Sequence, residues 1–199
     1  MNETLKTIYA RRAVRKYKSI PVEKNLLEQI IEAGRIAPSA MNRQPWSFYV
    51  LTEPKDIHAF SGQISKAAVK EITRKGIKTV AKMIVELIRS PVAFMHIRES
   101  DFVFHGAPVV IFLTAPVENE WAALDIGMCC QNMMLAAKSL GLDSCPIGFG
   151  KYVEHTKLFP QLRIPADEQV LLSVIFGYGD EQPEAHERRK GNVFYIAIA

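Results

Sequence analysis

The chain has 199 residues, of which 48% are hydrophobic and 23% are charged, values that are typical of a soluble globular protein. This length favours one domain with a substantial core over two full domains. The 25 basic and 21 acidic residues give a formal net charge of +4. A charge this small, carried by scattered basic residues, argues against nucleic-acid binding.

Cysteine usage and the N-terminus bear on the compartment. The three cysteines, Cys129, Cys130 and Cys145, are odd in number and lack metal-type spacing, which argues against a disulfide framework and a zinc site. Cys129 and Cys130 lie in a helical pattern, so we interpret them as small core residues. The N-terminal sequence lacks the apolar segment of a signal peptide, and no apolar stretch reaches the roughly 18 residues that span a membrane. We therefore predict a cytoplasmic protein.

A cationic cluster follows the first predicted helix, which covers about residues 2–10. The sequence RRAVRKY places Arg11, Arg12, Arg15 and Lys16 close together. Guanidinium groups match the geometry of phosphate, and each charge-assisted hydrogen bond contributes about 1.5–3 kcal/mol. The cluster predicts an anion pocket, and a solvated basic turn is the alternative.

The sequence APSAMNRQPW connects a predicted helix at residues 22–36 to a predicted strand at residues 46–52. Its two prolines stiffen the connection and exclude helix before each of them. Ser39, Asn42 and Gln44 then present short hydrogen-bonding side chains from a rigid support. This arrangement suits a flat ligand with polar edges, and an ordinary helix-to-strand turn is the alternative.

The middle of the chain predicts helices on either side of one buried strand. A short helix is expected at residues 54–60 and a long helical segment at residues 65–97, which Pro91 should break or kink. The continuous apolar sequence PVVIFLTA at residues 108–115 predicts a central strand covered on both faces. A second long helix is predicted at residues 118–140. Its amides Gln131 and Asn132 need partners, either across a helix interface or on a ligand.

The C-terminal part begins with CPIGFG at residues 145–150, where two glycines permit close approach of the backbone; a plain loop is the alternative. A short helix at residues 151–159 and an apolar strand at residues 169–178 follow. The polar tail carries Arg188 and Arg189 and ends in the β-prone sequence VFYIAIA, which must pair with its own sheet or with a partner's sheet. Together the elements predict a three-layer α+β domain with a small central sheet.

Taken in order, these motifs resemble the nitroreductase family of flavin mononucleotide (FMN) enzymes. The matching sequences are RRAVRKY, APSAMNRQPWSF, GAPVVI, DIGMCCQNMMLAAKSLGL, PIGF and the tail at residues 188–190. The resemblance implies a single domain over residues 1–199 with a variable helical excursion at about residues 55–105. It also implies a mixed, mostly antiparallel sheet flanked by helices, with the C-terminal strand added to the sheet of a partner subunit.

The resemblance implies a homodimer with two FMN sites at the subunit interface. The residues that match the N-terminal phosphate-binding segment are Arg11, Arg12 and Arg15, and those that match the C-terminal phosphate pair are Arg188 and Arg189. The residues that match the loop reaching the flavin from the partner subunit are Pro38, Ser39, Ala40, Asn42 and Gln44. The residues that match contacts along the isoalloxazine ring are Gln131, Pro146, Ile147 and Gly148.

Two features depart from the family pattern. Ala13 stands where the family commonly has serine, which removes one hydroxyl donor to the phosphate. The excursion at residues 55–105 has no motif that can be aligned, so any flavin contact from it stays unassigned. The chain also lacks an iron–sulfur cysteine pattern, which excludes the ferredoxin-fused branch of the family.

The resemblance implies an oxidoreductase that transfers hydride from NADH or NADPH through flavin N5 to an acceptor by a ping-pong mechanism. The acceptor would be a nitroaromatic, a quinone or a free flavin. No side chain has to act as a nucleophile or general acid, so we predict no catalytic residue and no metal. The alternatives are a flavin-dependent dehalogenase or flavin-fragmenting enzyme of the same fold, and a non-catalytic flavin-binding protein.

Overall fold

The computed structural model describes residues 1–74 and 101–197. Within these ranges the helices are α1 (Glu3–Ala10), α2 (Lys24–Arg35), α3 (Pro54–Arg74) and α4 (Ala122–Ser139). The strands are β1 (Ser47–Leu51), β2 (Val109–Pro116), β3 (Asp143–Ile147) and β4 (Glu168–Gly177). Short 3-10 helices cover Ala40–Asn42, Gly148–His155 and Phe159–Leu162.

The four strands form one sheet in the order β1-β2-β4-β3, and all three strand pairings are antiparallel. Strand β2 lies inside the sheet, and Val110, Ile111 and Phe112 on its two faces are fully buried. The prediction of a central strand covered on both faces is therefore confirmed. A single parallel bridge joins Ala13 to Ser144 and adds the N-terminal segment beside β3.

Helices cover both faces of this sheet, as the three-layer prediction requires. On one face, α2 and α4 bury Ile30 and Met133 against residues such as Ile111. On the other face, Phe60 of α3 packs against Phe112 with ring centroids 6.1 Å apart. Alternate residues of β2 thus enter different hydrophobic clusters, because successive strand side chains point to opposite faces.

Two local predictions need correction. The break expected between residues 60 and 65 is absent, because α3 runs continuously from Pro54 to Arg74 and buries Phe60 and Ile64 on one stripe. The remainder of the predicted helical segment, including Pro91, lies outside the described residues. The sequence CPIGFG is not a plain loop, since Cys145 to Ile147 complete β3 and Gly148 begins a 3-10 helix.

The prediction that Cys129 and Cys130 are core residues is confirmed, because both are buried, and Cys145 is buried as well. Burial raises the pKa of the Cys129 thiol to about 12, and burial likewise raises the pKa of the Cys130 thiol to about 12. Both side chains are therefore protonated near neutral pH and act as small apolar residues.

The C-terminal tail leaves the sheet after β4. Residues 180–197 contain no helix or strand, and the side chains of Phe194 and Tyr195 are 81% and 97% exposed. Addition of this tail to the chain's own sheet is therefore wrong for the part of the tail that the structure describes. In the described ranges, no helix is both long and apolar enough to cross a bilayer.

Replacement of Gly150 tests the packing of the segment after β3. A Cβ there would lie 2.1 Å from Ser173 Oγ and 3.0 Å from the Ser173 backbone nitrogen. Because Ser173 is fully buried and its hydroxyl donates to the Ile147 carbonyl, we expect Gly150→Ala to lower the free energy of unfolding by about 1–3 kcal/mol. Gly148→Ala is the matched control, because a Cβ at Gly148 meets no atom within 4 Å. Equal urea denaturation midpoints for the two variants would contradict this packing.

Candidate functional site

The N-terminal cationic segment lies in extended conformation along the edge of β3. Its backbone is fixed by a hydrogen bond from Val14 N to Ser144 O at 3.1 Å and by another from Asp180 N to Lys16 O at 2.8 Å. The Val14 side chain is 1% exposed and packs in the core, which holds the segment in place. The cations flanking Val14 are consequently held at defined positions beside the sheet.

The three arginines of this segment do not share one environment. Arg12 folds back and donates to the backbone carbonyls of Tyr9 and Arg11 at 2.5 and 2.9 Å. Burial raises the pKa of the Cys145 thiol, whereas the positive charges of Arg15 and Arg11 oppose that rise. Arg11 and Arg15 therefore both lie near β3, as expected for alternate residues of an extended chain.

In the part of the chain that the structure describes, neither Arg11 nor Arg15 has a carboxylate partner. Among residues 1–74 and 101–197, no ion pair within 4.0 Å involves either guanidinium. Two acids of the described residues bond to the segment: Glu181 Oε1 accepts from the Arg15 backbone N–H at 2.5 Å, and the Asp180 carboxylate pairs with Lys16 Nζ at 3.2 Å. An uncompensated pair of guanidinium groups in a fixed position is suited to bind an anion.

The second cationic pair occupies a different setting. Arg188 and Arg189 are exposed and lie in the extended C-terminal tail. Neither forms an ion pair with the residues that the structure describes. In a single chain, the two arginines that are predicted to bind phosphate therefore lie on the surface and outside any helix or strand.

The backbone of residues 146–148 continues the same edge of β3. Pro146 and Gly148 are exposed, whereas Ile147 is 7% exposed and packs in the core. Beyond the bridge between Ala13 and Ser144, this part of the edge lies beside the cationic segment and remains open. The structure therefore brings Arg11, Arg15 and residues 146–148 together on one edge.

The loop at residues 38–44 has an unusual backbone. Met41, Asn42 and Gln44 have φ angles of 53°, 53° and 47°, in the left-handed region that costs a non-glycine residue roughly 1–2 kcal/mol. The loop is braced internally, because Ser39 Oγ accepts from Gln44 N at 2.9 Å and Asn42 Oδ1 accepts from Gln44 Nε2 at 3.1 Å. Strain of this kind is characteristic of functional sites.

Asp125 anchors this loop, and sequence reasoning missed it. It lies in the first turn of α4, is 0% exposed, and accepts a hydrogen bond from Ala40 N to Oδ1 at 3.0 Å. Its second oxygen has no hydrogen-bond partner among the described residues. An acidic residue inside the otherwise apolar sequence ALDIGM was the signal that could have identified it.

The two amides of α4 have different environments. Asn132 donates from Nδ2 to the Ala33 carbonyl at 3.2 Å, so its partner lies across the interface between α2 and α4. Gln131 is exposed and lines a surface cavity of about 400 Å³ together with Pro38, Leu124 and Met128. The cavity thus joins Gln131 to the strained loop, and no residue of the β3 edge lines it.

Comparison with known proteins shows which family this chain resembles. The sequence model of the Nitroreductase family matches residues 8–178. The chain is 28% identical to a 4-nitrobenzoate reductase of Pseudomonas putida, over 92% of this chain and 88% of that one. It is 30% identical to a nitrobenzene nitroreductase of Ectopseudomonas oleovorans, over 85% of this chain and 84% of that one. A crystal structure of a nitroreductase with bound FMN from Desulfitobacterium hafniense superposes with a TM-score of 0.80 at 26% identity, covering 99% of this chain and 100% of that chain.

Substitution of Asp125 tests whether it holds the loop. Asp125→Ala removes the acceptor of the Ala40 N–H, so we expect amide hydrogen exchange in residues 38–44 to become about tenfold faster, as the loss of roughly 1.4 kcal/mol of local stability predicts. Asp125→Asn keeps an acceptor oxygen and should exchange much more slowly than the alanine variant. Exchange at the wild-type rate in Asp125→Ala would show that the loop does not depend on this carboxylate.

Proposed function

This chain belongs to the nitroreductase family, and we propose that it is an FMN-dependent oxidoreductase that uses NADH or NADPH to reduce a small-molecule acceptor. The observation that carries the proposal is the edge of β3, where uncompensated guanidinium groups lie beside an open stretch of backbone. A cofactor with an anionic end and a flat polar ring requires these two features. FMN, when bound, supplies the hydride-transfer chemistry, and the protein binds and orients it.

At the anionic end, Arg11 and Arg15 supply the positive charge. A phosphate monoester carries about −1.5 to −2 charges at pH 7, so two guanidinium groups without carboxylate partners match it. The Arg12 guanidinium donates to two backbone carbonyls, and we assign it to bracing the turn after α1. Arg188 and Arg189 lie exposed on the extended tail, and we assign them as a second source of positive charge for the phosphate.

At the ring end, residues 146–148 offer backbone at an open strand edge. Gly148 has no Cβ, and a Cβ placed there would meet no atom within 4 Å. A planar group can therefore approach the Gly148 backbone closely. The exposed edge leaves room for the nicotinamide and then the acceptor to occupy the same place in turn. This sequential use of one place is the basis for the ping-pong mechanism in our proposal.

The strained loop and Gln131 present amide side chains, which both donate and accept hydrogen bonds. The loop conformation is set in advance by Asp125 and Ser39, which lowers the entropic cost of ordering it around a ligand. Since the cavity beside Gln131 is separate from the β3 edge of the same chain, we assign Pro38, Ser39, Ala40, Asn42, Gln44 and Gln131 to contacts with the cofactor of a partner subunit.

We propose a homodimer, which this assignment and the exposed apolar surface both support. Leu124 of α4 is 57% exposed and lines the cavity beside Pro38, and Trp121, the residue before α4, is 48% exposed. Contiguous apolar patches mark protein interfaces. The apolar tail at residues 193–197 is also exposed. We propose that a second copy covers the α4 surface and that each tail adds to the partner's sheet.

The acceptor that we propose is a nitroaromatic, with quinones and free flavin as further candidates. Two relatives carry names of enzymes that reduce nitrobenzoate and nitrobenzene. Burial keeps the thiols of Cys129 and Cys130 protonated, with pKa values of about 12, so these side chains are unsuited to nucleophilic chemistry. This supports a reaction carried by the cofactor without a catalytic side chain.

The visible spectrum of the purified protein tests the proposal directly. We expect a yellow protein, or one that turns yellow after soaking in FMN, whose flavin absorbance bleaches on addition of NADH or NADPH without oxygen. Later addition of 4-nitrobenzoate or a quinone should restore the colour. A preparation that stays colourless in excess FMN would refute the proposal, whereas a yellow protein that neither nicotinamide reduces would indicate non-catalytic flavin binding.

The phosphate assignment predicts unequal effects of removing cations. Arg11→Ala and Arg189→Ala should each weaken FMN binding about tenfold or more, because a charge-assisted bond contributes about 1.5–3 kcal/mol. Lys55→Ala is the matched control, since Lys55 is an exposed cation at the start of α3. Equilibrium dialysis that finds the same FMN affinity in all three variants would rule out the assignment.

A further inference from the structure

The hydroxyl of Ser144 is buried without a partner. Ser144 lies in β3 and is 1% exposed, and its Oγ forms no hydrogen bond within the described residues. A buried hydroxyl without a partner costs about 1–3 kcal/mol, and such groups are rare enough in folded proteins to need an explanation. The neighbouring Ser173 shows the usual situation, because its buried hydroxyl donates to the Ile147 carbonyl at 3.2 Å.

The strand pairing shows which way this hydroxyl points. Ser144 forms a parallel bridge with Ala13, and bridged residues direct their side chains to the same face of a sheet. Arg11 and Arg15 lie two positions before and after Ala13, so in an extended segment they share that face. Ser144 and Ala13 are therefore neighbours on one face of the sheet, and Arg11 and Arg15 flank Ala13 on that face.

Three charged side chains near Ser144 already have partners in the free protein. Lys138 and Asp143 pair at 2.8 Å, and Glu181 accepts the backbone N–H of Arg15. Two guanidinium groups and one hydroxyl then remain available on the face of Ala13. All three donate hydrogen bonds, and an anion with several acceptor oxygens is the ligand that such a set recognises.

We propose that Ser144 donates a hydrogen bond to the phosphate of FMN and supplies from β3 the hydroxyl that Ala13 lacks. This inference rests on the proposed function and adds to it a phosphate-binding residue from a different part of the chain. The buried hydroxyl is then an unpaired donor only until the ligand binds. Its cost in the free protein is offset by a hydrogen bond to a charged group in the complex.

Comparison of FMN with riboflavin separates phosphate binding from ring binding. We expect Ser144→Ala to raise the Kd of FMN about tenfold, which corresponds to about 1.4 kcal/mol, and to leave the Kd of riboflavin unchanged. Both constants are measured by quenching of flavin fluorescence in the apoprotein. The thermal unfolding temperature of apo Ser144→Ala should equal or exceed that of the wild type, because the substitution removes an unsatisfied polar group.

Two further variants sharpen the test. Ser144→Ala combined with Ala13→Ser should restore FMN affinity, because the new hydroxyl occupies the adjacent position of the bridge. Ser139→Ala is the control, since the Ser139 hydroxyl is exposed on α4 and donates to the Ala136 carbonyl; it should change neither constant.

The outcomes distinguish this inference from the proposed function. If the wild type binds FMN and Ser144→Ala binds it equally well, or loses FMN and riboflavin affinity by the same factor, the inference is wrong while the proposed function stands. A fall in the unfolding temperature of apo Ser144→Ala would also refute it, since the hydroxyl would then have a structural partner. If the wild type binds neither flavin, the proposed function itself fails.

Discussion

A short backbone pairing between the N-terminal segment and β3 supports the arrangement of the whole candidate site. The hydrogen bond from Val14 to Ser144 and the burial of the Val14 side chain fix this segment at the sheet edge, and burying a valine contributes about 1.5–3 kcal/mol. The same pairing determines which arginines face the edge, because side chains alternate along an extended chain. The bond from Asp180 to Lys16 then brings the start of the C-terminal tail beside the segment.

Helix α4 connects the parts of the site. Its first turn carries Asp125, which holds the strained loop, and its exposed side carries Gln131 at the cavity beside Pro38. The positive charge of Arg11 opposes the burial-induced rise in the pKa of Cys130, so the middle of the same helix lies near the cationic segment. This single helix thus holds the β3 edge and the loop in a constant relation, and rigid support of this kind gives a binding site its precision.

The site is therefore built from groups that are incomplete in a single chain. The buried hydroxyl of Ser144 carries a free-energy cost until an acceptor is present. The guanidinium groups without carboxylate partners favour an anion, and the exposed apolar residues on α4 are typical of an interface. An anionic cofactor and, in our proposal, a second subunit are the partners whose chemistry satisfies them. Binding and assembly would then stabilise the fold as well as create the place of reaction.

Local patterns in the sequence determined the main helices, the buried strand β2 and the loop at residues 38–44, because periodicity reports burial and the prolines restrict the backbone. They also identified the cationic segment, but they treated Arg12 as equivalent to Arg11. Only the tertiary structure separated these two side chains, revealed the Asp125 anchor 85 residues away from Ala40, and placed Ser144 beside Ala13. These contacts join distant parts of the chain, and their geometry depends on which strand lies next to which, a property that no local window of residues contains.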